Sequence, residues 1–200
     1  MNLEGAVVIV TGSATGLGAA VAQRLASKGA NVVINYTKSQ AEAEASAAAC
    51  EKLGTEALLC RANVADDADC RRMAEAAVEK WGRVDGLVNN AALAKIAPHA
   101  DLEALTGQDF LDIFAVNVVG PYQMVRAVAP HMKKLGKGAV VNVSSLSGMS
   151  GSGSSIAYAA SKAALNTMTL SLARALAPEI RVNAVCPGVM QTRWWREGLG

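Results

Sequence analysis

VVIVTGSATGLG, residues 7–18, opens with four β-branched apolar residues and then sets Gly12, Gly16 and Gly18 ahead of AAVAQRLASKG. A short apolar run, a glycine-rich turn and an alanine-rich amphipathic stretch read as strand, tight turn and helix. The same alternation recurs outward from this point. Apolar runs stand at 6–11, 31–36, 56–61, 85–90, 138–144 and 180–185, with longer stretches of helical composition between them. Gly29, Gly54 and Gly82 follow helical stretches, and Pro178 closes another, as helix-stop chemistry predicts. Continuous rather than alternating apolar strands belong to a parallel sheet covered on both faces. The pattern therefore predicts a doubly wound α/β fold with six strands and about six helices, residues 1–200 forming a single domain.

Composition narrows the function. The 200 residues are 52% hydrophobic and 18% charged, with a formal net charge of +2 and scattered basic residues. That balance gives no case for nucleic acid or an anionic membrane, and no apolar run approaches the roughly 18 residues of a membrane span. Cys50, Cys60, Cys70 and Cys186 lack CxxC spacing, and the N-terminus carries an acid where a signal peptide needs base. A cytoplasmic protein with a small-molecule partner is expected. His99 and His131 lie in no ligand-like cluster, so no metal site is expected, and ADDAD at 65–69 reads as a helix start.

Within TGSATGLG (11–18), Gly12, Ser13, Thr15, Gly16, Leu17 and Gly18 form a candidate dinucleotide-binding turn. Glycine lets the backbone approach a pyrophosphate, and the following helix N-terminus offers N–H groups to it. NAD sites place an acid about 20 residues on, at the end of the second strand, to bind ribose hydroxyls. Here that segment reads Asn35-Tyr36-Thr37-Lys38. A missing carboxylate together with Lys38 tilts the choice to NADP(H), leaving NAD(H) open, and Lys38 reads equally as a solvated helix-start residue.

YAASK at 158–162 places Tyr158 and Lys162 four residues apart on one helical face. It follows SGMSGSGSSIA, a run too rich in glycine and serine to be read as helix. Around this pair stand NNAA at 89–92, Asn117 within a helical stretch, VNVSS ending the fifth strand, and VCPG at 185–188. In this order and spacing the chain resembles the classical short-chain dehydrogenase/reductase family along residues 3 to about 193, including members that reduce 3-oxoacyl thioesters. The resemblance implies a Rossmann-type fold, a nicotinamide cofactor and a carbonyl or alcohol substrate. It implies a catalytic tetrad of Asn117, Ser145, Tyr158 and Lys162, with Ser145 preferred to Ser144 because it lies 13 residues before Tyr158. It further implies cofactor contacts from Tyr36, Lys38, Asn63, Val64, Asn89, Ala91, Tyr158, Lys162, Pro187, Gly188 and Thr192.

The family often has glycine at Ala92 and aspartate at Asn63, and its members continue through a further helix and last strand that this chain lacks. A homo-oligomer is expected, provided that missing segment is not essential to it. The rival reading is a non-catalytic cofactor-binding or interaction protein, or a fragment of a longer reductase. Trp194 and Trp195 read either as part of a substrate lid or as apolar surface. On chemical grounds, a lysine ammonium about 4 Å from a tyrosine hydroxyl favours the phenolate by about three pKa units before desolvation, which would bring Tyr158 near the working pH.

Overall fold

The computed structural model describes residues 2–190. In chain order its elements are β1 (Val7–Val10), α1 (Gly16–Ala26), β2 (Asn31–Tyr36), α2 (Gln40–Glu51), β3 (Ala57–Arg61), α3 (Asp67–Trp81) and β4 (Gly86–Asn89). A 3-10 turn at Leu102–Ala104 precedes α4 (Gly107–Phe114), a π-helical turn (Ala115–Val119), α5 (Gly120–Lys134), β5 (Gly138–Val143), α6 (Ser147–Ser150), α7 (Ile156–Leu176) and β6 (Ile180–Val185). The six strands form one sheet in the order β3-β2-β1-β4-β5-β6, every pairing parallel. This is the Rossmann-type, doubly wound sheet that the sequence predicts.

Successive side chains of a strand face opposite ways, so β1 feeds two cores at once. Val7 and Ile9 join Met73, Ala77, Met124, Val128 and Met132 on the face covered by α3 and α5, where Leu172 and Leu176 of α7 also pack. Val8 and Val10 join Ala22, Ala26, Ala43, Ala47 and Cys50 under α1 and α2. Ile9 and Val10 are completely buried, which stabilises the fold by about 1.5–3 kcal/mol each. Alanine dominates the α1 and α2 faces, letting these helices lie close to the sheet.

Helix ends follow local chemistry. Asp66 caps α3, its carboxylate accepting from the Ala68 and Asp69 N–H groups, as the ADDAD reading predicts. Gly82 ends α3 with φ 72°, the left-handed conformation that glycine adopts without penalty. Two segments depart from expectation. Ser147–Ser150 forms one helical turn despite its glycine and serine, closed by Gly151 at φ 71°. Asn117 lies in a π turn, not in regular α-helix. Pro121 has no N–H to give the Asn117 carbonyl, and the Gly120 N–H reaches back five residues to the Ala115 carbonyl instead.

The strand order reverses between β1 and β4: the chain runs outward through β2 and β3, then returns to β4 beside β1. A crevice opens at the C-terminal ends of strands at such a switch. The glycine turn follows β1, Asn89-Asn90-Ala91 ends β4, and Ser144-Ser145 follows β5, so the topology gathers these motifs at one end of the sheet.

Candidate active site

The glycine turn is built by contacts too close for any other residue. A Cβ on Gly18 would lie 2.4 Å from the Gly12 carbonyl oxygen and 2.9 Å from Ser13 Cα, and one on Gly12 would lie 2.9 Å from Ala91 Cα. Gly12 and Gly16 hold φ near +60°. Thr15, the N-cap of α1, makes no side-chain capping bond, and the first turn carries no acid. By contrast α3, α4 and α7 are capped by Asp66, Thr106 and Ser155. The α1 N-terminus therefore keeps N–H groups for an external anion, which fits a dinucleotide pyrophosphate.

Asn35 and Thr11, not expected as site residues, hold this turn together with Asn90. Asn35, 2% exposed, accepts from the Gly12 N–H through Oδ1 (2.9 Å) and donates through Nδ2 to the Cys60 and Ala62 carbonyls (3.3 and 2.9 Å). Asn90 Nδ2 donates to the Thr11 and Gly12 carbonyls, while Thr11 Oγ1 accepts from the Asn90 and Ala91 N–H groups. These bonds join positions 23 to 80 residues apart in the chain, so no local pattern announces them.

Two of the expected cofactor-binding residues turn their side chains inward. Ser13 is fully buried: its hydroxyl donates to the Val10 carbonyl and accepts from the Asn35 N–H, and its own N–H donates to the Asn35 carbonyl. Asn89, 3% exposed, donates through Nδ2 to Asn142 Oδ1 (2.9 Å) and to the Pro121 carbonyl. Both side chains are spent inside the protein. Thr15 and Leu17 are partly exposed at the start of α1, Tyr36 and Ala91 are half-buried, and Lys38 and Asn63 are exposed. Val64 is buried against Gly120. Pro187 accepts from the Leu146 N–H, bringing Pro187-Gly188 beside the segment that carries Ser145. Thr192, like Arg193, Trp194, Trp195 and Arg196, lies outside the described residues.

Asn117, Ser145, Tyr158 and Lys162 converge. Ser155 caps α7 through a bond from the Tyr158 N–H (3.3 Å), fixing the tyrosine in the first turn. The Tyr158 and Ser145 side chains are hydrogen-bonded. Lys162, 2% exposed, donates from Nζ to the Val143 carbonyl (2.9 Å) and lies 5.6 Å from the Tyr158 ring centre. Ser144, by contrast, is buried and donates its hydroxyl to the Lys162 carbonyl. Asn117 clamps the loop after β4: its amide accepts from the Leu93 N–H, donates to the Leu93 carbonyl, and donates to Ser161 Oγ on α7.

Electrostatics differ from the sequence expectation. Burial raises the Tyr158 hydroxyl above its ordinary value, and the Ser145 bond pulls it only part-way back. The ammonium is directed to the Val143 carbonyl, so the expected strong lowering of Tyr158 is not present in this structure. Burial lowers Lys162 to about 8, with Cys186 acting weakly in the opposite direction. At neutral pH the site thus holds a protonated phenol beside a largely protonated lysine.

The model of the short chain dehydrogenase family matches residues 6–198. This chain belongs to the short-chain dehydrogenase family. It is 46% identical over 191 residues to a protein described as ketoacyl reductase 2 of the granaticin polyketide synthase of Streptomyces violaceoruber, covering 96% of this chain and 75% of that one. A 3-oxoacyl-(acyl-carrier-protein) reductase of Staphylococcus epidermidis is 35% identical over 181 residues, covering 90% of this chain and 73% of the relative. A crystal structure of NAD+-bound xylitol dehydrogenase superposes with a TM-score of 0.88 at 30% identity, covering 94% of this chain and 72% of that one. The short-chain dehydrogenase is accordingly an NAD(P)-dependent oxidoreductase. Among its described residues no helix is long and apolar enough to cross a membrane, and no group of three His, Cys, Asp or Glu side chains is placed to hold a metal.

Proposed function

We propose that this short-chain dehydrogenase interconverts a carbonyl and an alcohol with NADP(H) as the preferred cofactor, NAD(H) being the weaker one. The observation that carries the reading is the hydrogen-bonded Ser145–Tyr158 pair backed by buried Lys162. When bound, the nicotinamide supplies or accepts the hydride. A carbonyl oxygen gaining charge needs a donor for the incoming proton and a second hydrogen bond. Tyr158 is the proton donor in reduction and the acceptor in the reverse direction. Ser145 orients the substrate oxygen. Lys162 is placed to hold ribose hydroxyls, and its charge would favour the phenolate once its ammonium turns from the Val143 carbonyl toward the hydroxyl. Asn117 is a positioning residue that fastens the Leu93 loop to the catalytic helix. The α1 N-terminus holds the pyrophosphate, while the acid-free segment after β2 favours a 2′-phosphate.

The substrate class we infer is a 3-oxoacyl thioester, supported by the names of the two reductase relatives. A hollow of about 190 Å³ lined by Ala97, Leu102, Leu105, Phe110 and Ile156 offers an apolar surface two residues from Tyr158 in the chain. A homo-oligomer is supported by exposed Leu111, Val119, Tyr122 and Leu170, apolar side chains that a second copy would cover. The four free cysteines suit the reducing cytoplasm.

The test follows nicotinamide absorbance with NADPH and NADH against oxoacyl thioesters, diketones and aldehydes. We expect oxidation of NADPH by an oxoacyl thioester, and a loss of at least about a hundredfold in turnover for Tyr158→Phe with cofactor affinity retained. Wild-type turnover in that variant would remove Tyr158 from the chemistry. Binding without oxidation of any compound would favour the binding-only rival.

A further inference from the structure

Arg61 stands at the end of β3, beside the segment that follows β2. In register it pairs with Tyr36, the last residue of β2, which places the two main chains about 5 Å apart. Its guanidinium folds across that strand end, Nε donating to the Thr37 carbonyl (3.1 Å). Arg72 Nη2 donates to the Arg61 carbonyl (3.0 Å) and is itself ion-paired with Asp69, bracing the main chain at this position. Arg61 thus reaches from the neighbouring strand into the place where no acid or arginine occurs along β2 itself, residues 35–39 reading NYTKS. The nearest acid along this part of the chain is Glu42, inside α2.

Arg71, Arg72 and Arg83 each have a carboxylate partner, in Asp67, Asp69 and Asp85. The bond made by Arg61 is to a neutral carbonyl and engages Nε. Bidentate recognition of a phosphate uses Nη donors, and guanidinium suits it better than ammonium. Lys38, exposed one residue past Thr37, adds a second positive charge to the same strand end.

We propose that Arg61 determines cofactor choice, its guanidinium receiving the 2′-phosphate of NADP(H) at the β2–β3 edge with Lys38 as the secondary charge. The proposal rests on the dinucleotide reading of the glycine turn, since a pyrophosphate at the α1 N-terminus puts the adenosine ribose at the end of β2. Arginine on β3 cannot be found by scanning the chain just after β2. Only the strand register brings it there.

The experiment measures dissociation constants by fluorescence of bound NADPH and NADH, and by calorimetry with 2′,5′-ADP and 5′-AMP, for wild type, Arg61→Ala, Arg61→Lys and Lys38→Ala. Arg61 is exposed, so the alanine variant is expected to fold, and circular dichroism checks it. We expect Arg61→Ala to weaken NADPH and 2′,5′-ADP by roughly 10- to 100-fold, with NADH and 5′-AMP changed by less than about twofold. Arg61→Lys should recover part of the loss, and Lys38→Ala should lose less than Arg61→Ala. Equal weakening of both dinucleotides, unchanged NADPH binding, or a loss carried by Lys38 alone would overturn the proposal. Failure of wild type to bind either dinucleotide would instead overturn the cofactor reading on which it rests.

Discussion

Lys162 is enclosed at the centre of the site with its ammonium on the Val143 carbonyl, and that placement has a measurable cost. Burial brings its pKa from the ordinary 10.5 to about 8. Below about pH 8 the lysine is protonated in both folded and unfolded chains, and the penalty for burying the charge is present in full. Between about 8 and 10.5 the unfolded chain holds the extra proton, so stability rises with pH. Urea unfolding of wild type and Lys162→Met isolates this contribution. We expect the stability of wild type relative to the variant to rise by about 2 kcal/mol from pH 8 to 10, while a pH-independent difference would contradict the burial account. The lysine's place on one face with Tyr158 was legible from spacing alone. Its hydrogen bond was not, because a carbonyl 19 residues earlier leaves no trace in a motif.

Between elements, α6 packs directly on the main chain of α7. A Cβ on Gly148 would lie 2.6 Å from the Lys162 carbonyl carbon and 2.7 Å from the Ala163 nitrogen, main-chain atoms that cannot rotate aside. Gly148→Ala therefore pushes the segment carrying Ser145 away from Tyr158. We expect stability to fall by about 1–3 kcal/mol and turnover by about tenfold or more, with NADPH affinity within about twofold because the glycine turn is untouched. Parallel loss of affinity and turnover would show that the damage is not local. Elements were the most legible level: β2 and β6 coincide with their apolar runs, and the other four strands differ only at their ends. Continuous burial on both faces imprints a whole run, whereas α6 and the π turn at Asn117 depend on close packing and on one proline's missing donor. The inward turn of the Ser13 and Asn89 side chains was not legible for a related reason. A motif gives position along the chain, not the direction in which a polar side chain turns.

Across the molecule, the two halves of the crevice are tied by a buried polar rung. Asn89 on β4 donates to Asn142 on β5, Asn142 donates to Thr169 on α7 (2.9 Å), and Thr169 donates to the Leu165 carbonyl (2.8 Å). Asn142 is fully buried and its neighbours are nearly so. Apolar side chains alone would hold α7 against the sheet but allow it to slide, whereas these directional bonds fix the register of the helix that carries Tyr158 and Lys162. Asn142→Ala strands the Asn89 donor and removes the donor to Thr169, which should lower unfolding free energy by about 2–4 kcal/mol. Adding Thr169→Ala to that background should cost less than it does in wild type, with a coupling of about 0.5–2 kcal/mol in a double-mutant cycle measured by urea unfolding. Strict additivity would mean that the three residues stabilise the fold separately. If they act as one rung, Asn142→Ala should also lower turnover more than it weakens NADPH binding, because the cofactor turn is held by Asn35 and Asn90 while the catalytic helix is held from β5.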